Sequence, residues 1–128
     1  MILLLDTSTA TCRLSLVDSD ARHDFEWLAE RQLAKGLLEY IKTQLSAQSK
    51  TLYDISAIGV LQGPGSFTSL RIGLTVCNTI ADSLGVAIVG ETGDDWQSKC
   101  LDRLQAGNNQ RIVMPVYGSE ANITTQRK

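Results

Sequence analysis

The chain opens on a short apolar run, Ile2 to Leu5, closed by Asp6-Thr7-Ser8-Thr9. It then alternates, with Cys12, Leu14 and Leu16 on one side and Arg13, Ser15 and Val17 on the other. Period-two alternation marks a half-buried strand, so the two segments are predicted to pair as a hairpin around a polar turn. A third strand is predicted near 24–28, with Phe25 and Trp27 facing one way. From Glu30 to Leu45 the period changes: Leu33, Leu37, Leu38, Ile41 and Leu45 form one stripe of an amphipathic helix. Ile55 to Leu61 is a compact apolar run that reads as a buried strand. Gly63-Pro64-Gly65-Ser66 breaks the chain, and a helix is predicted over 67–84, closed by Gly85 as its C′ residue. Val86 to Val89 is another buried strand. Asp94 and Asp95 then open a helix to about Gln105, because carboxylates favour the positive end of the helix dipole. Gly107-Asn108-Asn109 is a turn, and Ile112–Tyr117 and Ala121–Thr125 are strand-like.

A hairpin followed by strand–helix alternation predicts an α/β layered domain with a mixed sheet and about three helices. The length of 128 residues fits one domain with a modest core, and 43% apolar and 20% charged residues describe an ordinary globular chain. Net charge is −2 and the twelve basic residues are scattered, which argues against a chain that grips RNA alone. The opening apolar run meets Asp6 at once and has no basic flank, so it reads as neither signal peptide nor membrane span. Cys12, Cys77 and Cys100 have no zinc-ligand spacing and imply a reduced, cytoplasmic setting. His23 is the only histidine, which excludes a His-pair metal site and leaves Ser and Cys nucleophiles without an evident base. Asp94 and Asp95 are adjacent, so their side chains diverge and helix capping explains them better than a carboxylate pair.

Three features can carry chemistry or binding. Asp6, Thr7 and Ser8 place a carboxylate and hydroxyls on a turn that could hold hydrated Mg²⁺ and donate to phosphate. The same residue types also cap the backbone of an ordinary turn. Gly63, Gly65 and Ser66 stand before a helix N-terminus, where glycines let backbone N–H groups approach an anion. No Lys follows as a Walker loop would require, and strand–turn–helix with Ser66 or Thr68 as N-cap is the plainer reading. Finally, Gly73, Cys77 and Ala81 recur at steps of four with Leu70 and Leu74 beside them, and Leu33, Leu37 and Ile41 stripe the first helix. Small residues on one stripe allow a close helix approach, so these residues read as this domain's own core or as a face for a partner's helices.

Leu5-Asp6-Thr7-Ser8-Thr9 with Cys12 and Leu14-Ser15-Leu16, the segment from Gly63 through Phe67-Thr68-Ser69-Leu70-Arg71-Ile72-Gly73, and Val86-Ala87-Ile88-Val89-Gly90 together resemble the TsaB (YeaZ) family over about residues 1–117. The resemblance implies an actin-like, sugar-kinase-like ATPase (ribonuclease H-like) lobe over 1–110, with 111–128 a remnant of a second lobe or extra strands. It implies a non-catalytic companion subunit in formation of N6-threonylcarbamoyladenosine in tRNA. Such a subunit docks on and activates a TsaD-like catalytic subunit through two helices, here roughly 31–45 and 67–84. It also contacts a TsaE-like ATPase and meets tRNA only indirectly. No tightly bound cofactor is expected; ATP or ADP with Mg²⁺ at a partner interface stays open. The chain departs from the family pattern in its length, in Gln32-Leu33-Ala34 where His-Ser or His-Thr is usual, and in Ser69 where Gly is usual. Two alternatives remain: a nucleotide-dependent phosphotransferase using Asp6 and the Gly63–Ser66 loop, and a homodimeric regulator that pairs through the same helices.

Overall fold

The computed structural model describes residues 1–19 and 21–117. Its strands are β1 (Ile2–Asp6), β2 (Thr11–Val17), β3 (Arg22–Leu28), β4 (Ala57–Gly63) and β5 (Ala87–Thr92), and its helices are α1 (Leu33–Ala47), α2 (Phe67–Leu84) and α3 (Trp96–Gln105). One mixed sheet runs in the order β3-β2-β1-β4-β5. β1, β2 and β3 pair antiparallel, while β4 runs parallel to both β1 and β5.

The hydrophobic pattern decides which face each helix covers. Leu3, Leu5, Cys12, Leu14 and Leu16 point to one face, where they meet Leu33, Leu37, Ile41 and Leu45 of α1 and Leu74, Cys77 and Ala81 of α2. Leu4 and Val89 point to the other face and pack under Trp96 and Cys100 of α3. The sheet is therefore covered on both sides at β4 and β5, and its all-apolar central strands follow from that.

The helix ends follow the sequence signals. Ser66 caps α2 by accepting from the Ser69 N–H. Gly85 closes it in the left-handed region at φ 69°, its N–H reaching the carbonyls of Ala81 and Asp82. Residues 30–32 form a 3-10 turn leading into α1, so the regular helix begins at Leu33. α3 starts at Trp96, and Asp95 makes no side-chain cap; its carboxylate pairs with Lys99 at 3.4 Å.

Residues 112–117 do not form the expected strand. They cross the sheet's end as an irregular strap, with Val113 buried in the core and its neighbours Ile112 and Met114 exposed. Asn78 holds Val113 by two hydrogen bonds, its amide donating to the Val113 carbonyl at 3.0 Å and its oxygen accepting from the Val113 N–H at 2.9 Å. The Val116 N–H donates to Gln62 and the Gln110 N–H to Ile88. Side chains and isolated backbone bonds thus satisfy the strap, and the apolar alternation that suggested a strand records one buried anchor. Val113 is the strap's contribution to the core; the strand expected at 121–125 lies outside the described residues.

Candidate functional site

The two loop motifs, far apart in sequence, meet at the C-terminal ends of β1 and β4. Asp6 ends β1, and its Oδ1 accepts from the Ser8 N–H at 2.8 Å and from the Ser8 hydroxyl at 2.7 Å. The Ser8 carbonyl in turn accepts from the Ser66 N–H at 2.8 Å. Gly65 lies so close to this turn that a Cβ there would stand 2.5 Å from the Ser8 oxygen. Gly73, one and a half turns into α2, lies against Thr7, which is 3% exposed. Gly63 has φ 132° and lies beneath the Val116 carbonyl of the strap.

Glycine therefore serves close approach at this site, as its chemistry predicts, but the group that approaches is the chain's own turn. Asp6 spends one carboxylate oxygen on Ser8, and the Ser66 donor is committed inside the fold. One carboxylate with a turn and a helix N-terminus is a thin donor set for a nucleotide and Mg²⁺. Among the described residues, no group of three His, Cys, Asp or Glu side chains could hold a metal ion. His23 is exposed on the edge strand β3. The three cysteines are buried, and burial pushes the Cys12 thiol up to about 12, the Cys100 thiol up to about 11, and that of Cys77 upward as well. They are inert core thiols.

The helix residues expected to face a partner are placed otherwise. Leu33, Leu37, Ile41, Leu70, Gly73, Leu74, Cys77 and Ala81 are all buried, and they face the sheet and each other within this chain. Side chains that close a core point away from solvent at those helix positions. A solvent-facing surface lies beside this stripe. A groove of about 390 Å³ runs between α1 and α2, lined by Ala34, Phe67, Arg71, Ile72, Thr75 and Val76. Phe67 is 54% exposed and Leu38 on α1 is 45% exposed. The Phe67 ring packs tilted by 36° against Tyr117 of the strap, with centroids 4.6 Å apart, and carries the Arg71 guanidinium 5.2 Å above it. The sequence held one trace of this face: apolar positions adjacent to the core stripe, Leu38 beside Leu37 and Ile72 and Val76 beside the Gly73–Cys77 row, widen each stripe beyond what one sheet face can cover.

A five-stranded mixed sheet opened by a hairpin and covered by helices on both faces is the architecture of an actin-like, sugar-kinase-like ATPase lobe. The family model of TsaD, described as tRNA N6-adenosine threonylcarbamoyltransferase, matches residues 27–92, just over half of the chain. The TsaB protein of Escherichia coli, named as a tRNA threonylcarbamoyladenosine biosynthesis protein, is 32% identical over 90 residues, covering 70% of this chain and 38% of the relative. The Haemophilus influenzae protein of the same name is 30% identical over 88 residues, covering 69% and 37%. The solved structure of YeaZ from Pseudomonas aeruginosa superposes with a TM-score of 0.68 at 27% identity, covering 82% of this chain and 49% of that one. The chain belongs to the TsaB (YeaZ) family and spans less than half the length of these relatives.

Proposed function

We propose that this chain is a non-catalytic companion subunit in tRNA N6-threonylcarbamoyladenosine biosynthesis, docking on a TsaD-like catalytic subunit through the outer faces of α1 and α2. The observation that carries the reading is the open groove between these helices, with Phe67 exposed in its lining and Leu38 exposed one turn along α1 from the lining residue Ala34. Exposed aromatic and aliphatic side chains around a concave apolar surface are what a partner helix fills. The names of the TsaB relatives supply the pathway, and the sparse donor set at Asp6 and Ser66 supports a role without independent catalysis. In this reading tRNA is met through the partner, and contact with a TsaE-like ATPase is a further property of the assembled complex.

The test is light scattering after size-exclusion chromatography, with and without the TsaD-like protein from the same source. A heterodimer is expected with the native chain and none with Ala34→Trp, which fills the groove from an exposed helix position. A native chain that ignores the TsaD-like protein overturns the reading, as does Ala34→Trp binding as well as native.

A second reading has one observation in its favour: the fold brings Asp6, Thr7 and Ser8 against Gly63, Gly65 and Ser66. That juxtaposition suits ATP or ADP with Mg²⁺ if a partner completes the site. Mg²⁺-dependent ATP binding by the complex that Asp6→Ala removes would support it; binding that is indifferent to Asp6→Ala would sink it.

A further inference from the structure

The two edges of the sheet are finished differently. Along β5 the outer edge is closed by the chain itself. Asn109 Oδ1 accepts from the Ile88 N–H at 3.1 Å, and the Gln110 N–H donates to the Ile88 carbonyl at 2.8 Å. Gln110 Oε1 accepts from the Gly90 N–H at 2.7 Å, and the Arg103 guanidinium donates to the Gly90 carbonyl at 3.0 Å. At the other end of the strand order stands β3. The Asp18 N–H donates to the Ala21 carbonyl at the hairpin turn, and the Ala29 N–H donates to the Ala10 carbonyl at the far end. Backbone groups alternate sides along a strand, so residues 21, 23, 25, 27 and 29 turn theirs toward β2, and Arg22, Asp24, Glu26 and Leu28 present theirs outward. Among the described residues, no side chain or loop bonds to these outward groups.

An open ladder of this kind is a template for another strand. Its two faces differ. On the α1 side Phe25 and Trp27 are half-buried, and Tyr40 of α1 stacks on Trp27 with centroids 4.9 Å apart. On the other side stand Arg22, Asp24, Glu26 and Leu28. Asp24 Oδ1 pairs with Arg22 at 3.0 Å and Glu26 Oε2 with Arg13 at 3.3 Å, yet the two acidic side chains stay 63% and 66% exposed. Asp24 Oδ2 and Glu26 Oε1 accept no hydrogen bond among the described residues. We propose that β3 takes an added antiparallel strand from a different chain, an extended segment with basic residues opposite Asp24 and Glu26 and apolar residues on the aromatic side. This surface is apart from the α1–α2 groove, and the inference does not depend on docking there.

Charge along the edge selects against a second copy. Isologous pairing of β3 centred on Asp24 sets that carboxylate against itself. Centred on Phe25, it sets Asp24 against Glu26 twice; centred on Glu26, it sets Glu26 against itself. These are the registers that use most of the strand, and like charges directly opposite are destabilising. A strand with lysine or arginine at those positions turns each repulsion into a cross-strand pair through the unused carboxylate oxygens.

The blocked heptapeptide Thr-Val-Lys-Val-Lys-Val-Thr, lying antiparallel to β3, sets its lysines opposite Asp24 and Glu26. Its binding to the whole chain is read by NMR titration and amide hydrogen exchange at about 50 mM salt. The peptide should slow exchange at the Asp24 and Glu26 N–H groups. N-methylation of both lysine amides, whose N–H groups face β3, should abolish binding, whereas N-methylation of two valine amides should leave it. Glutamate in place of both lysines should weaken binding roughly tenfold, and the charge-swapped chain Asp24→Lys/Glu26→Lys should prefer the glutamate peptide. The methylated peptides decide on the native chain, whatever the fold of the charge-swapped one. No slowing at Asp24 and Glu26 with roughly 5 mM peptide overturns strand addition, as does equal loss from methylating lysines or valines. Equal binding of the lysine and glutamate peptides overturns the basic partner. A dimer of the native chain alone that slows exchange at the same two amides overturns the exclusion of a second copy.

Discussion

Gly73→Ala puts one carbon atom between a strand-end turn and the middle of α2. In an exposed helix interior the exchange would stabilise by about 1 kcal/mol, because Ala has the higher helix propensity. Here the added Cβ would stand 2.8 Å from the Thr7 Cγ2 and 2.9 Å from its Cβ, where carbon contacts normally sit at roughly 3.5–4.0 Å. Thr7 cannot step aside. It is 3% exposed and lies between Asp6, the last residue of β1, and Ser8, which is bonded to Asp6 and to Ser66. Overpacking a site of this kind costs about 1–3 kcal/mol, which outweighs the propensity gain. The nearest atom to the added Cβ is the Thr7 Oγ1, which places the cost at the upper end of that range, so a net loss of about 2 kcal/mol follows, or a fall in Tm of roughly 6–12 °C for a domain of this size. Urea and thermal unfolding measure it, and Thr7→Ala should recover part of the loss in the Gly73→Ala background. A Gly73→Ala variant as stable as the native chain, or more so, would refute the close approach on which the site's geometry depends. The same geometry means that a bulky residue at Gly73 reports on folding and says nothing about docking.

The two sides of α1 can be separated by deletion. Leu37→Ala should cost about 2–5 kcal/mol in unfolding free energy, whereas Leu38→Ala should stay within about 0.5 kcal/mol; equal effects in urea titrations would overturn the assignment of Leu37 to the core. The buried thiols give the fold an alkaline limit. Their ordinary value is 9.0, and burial raises Cys100 to about 11 and Cys12 to about 12, so the folded state holds these protons more tightly than the unfolded chain. The stability they contribute is complete below pH 9.0 and is lost as pH rises through about 11 for Cys100 and about 12 for Cys12. The urea midpoint should fall across that window, and a Cys12→Ala/Cys100→Ala variant with an undiminished slope would contradict the cause.

The sequence by itself determined the element order and the placing of the helices. Period-two alternation needs only local chemistry to read, and so do a left-handed Gly85 at a helix end and a Ser66 cap. Partly local signals slipped by a residue or two. The apolar run from Ile55 became a strand only at Ala57, because a 3-10 turn at Leu52–Asp54, closed by a capping box with Thr51, holds the approach. The strap failed as a strand for a different reason: Val113 is anchored by Asn78, a residue 35 positions away, which no local pattern could announce.

Tertiary structure alone decided what each motif faces. Asp6-Thr7-Ser8 and Gly63–Ser66 were legible as turn and loop, yet only the parallel pairing of β1 with β4 brings them into contact, and the space the glycines leave is taken by the chain's own Ser8. The helix stripes were legible as apolar, but a stripe does not state whether a sheet or a partner covers it. The fold buries Leu37, Gly73 and Cys77, and the neighbouring positions Ala34, Ile72 and Arg71 are left to line the outer groove. Local patterns fix the period along each element; which side of that period meets solvent depends on where the other elements lie, and that is settled only when the chain packs.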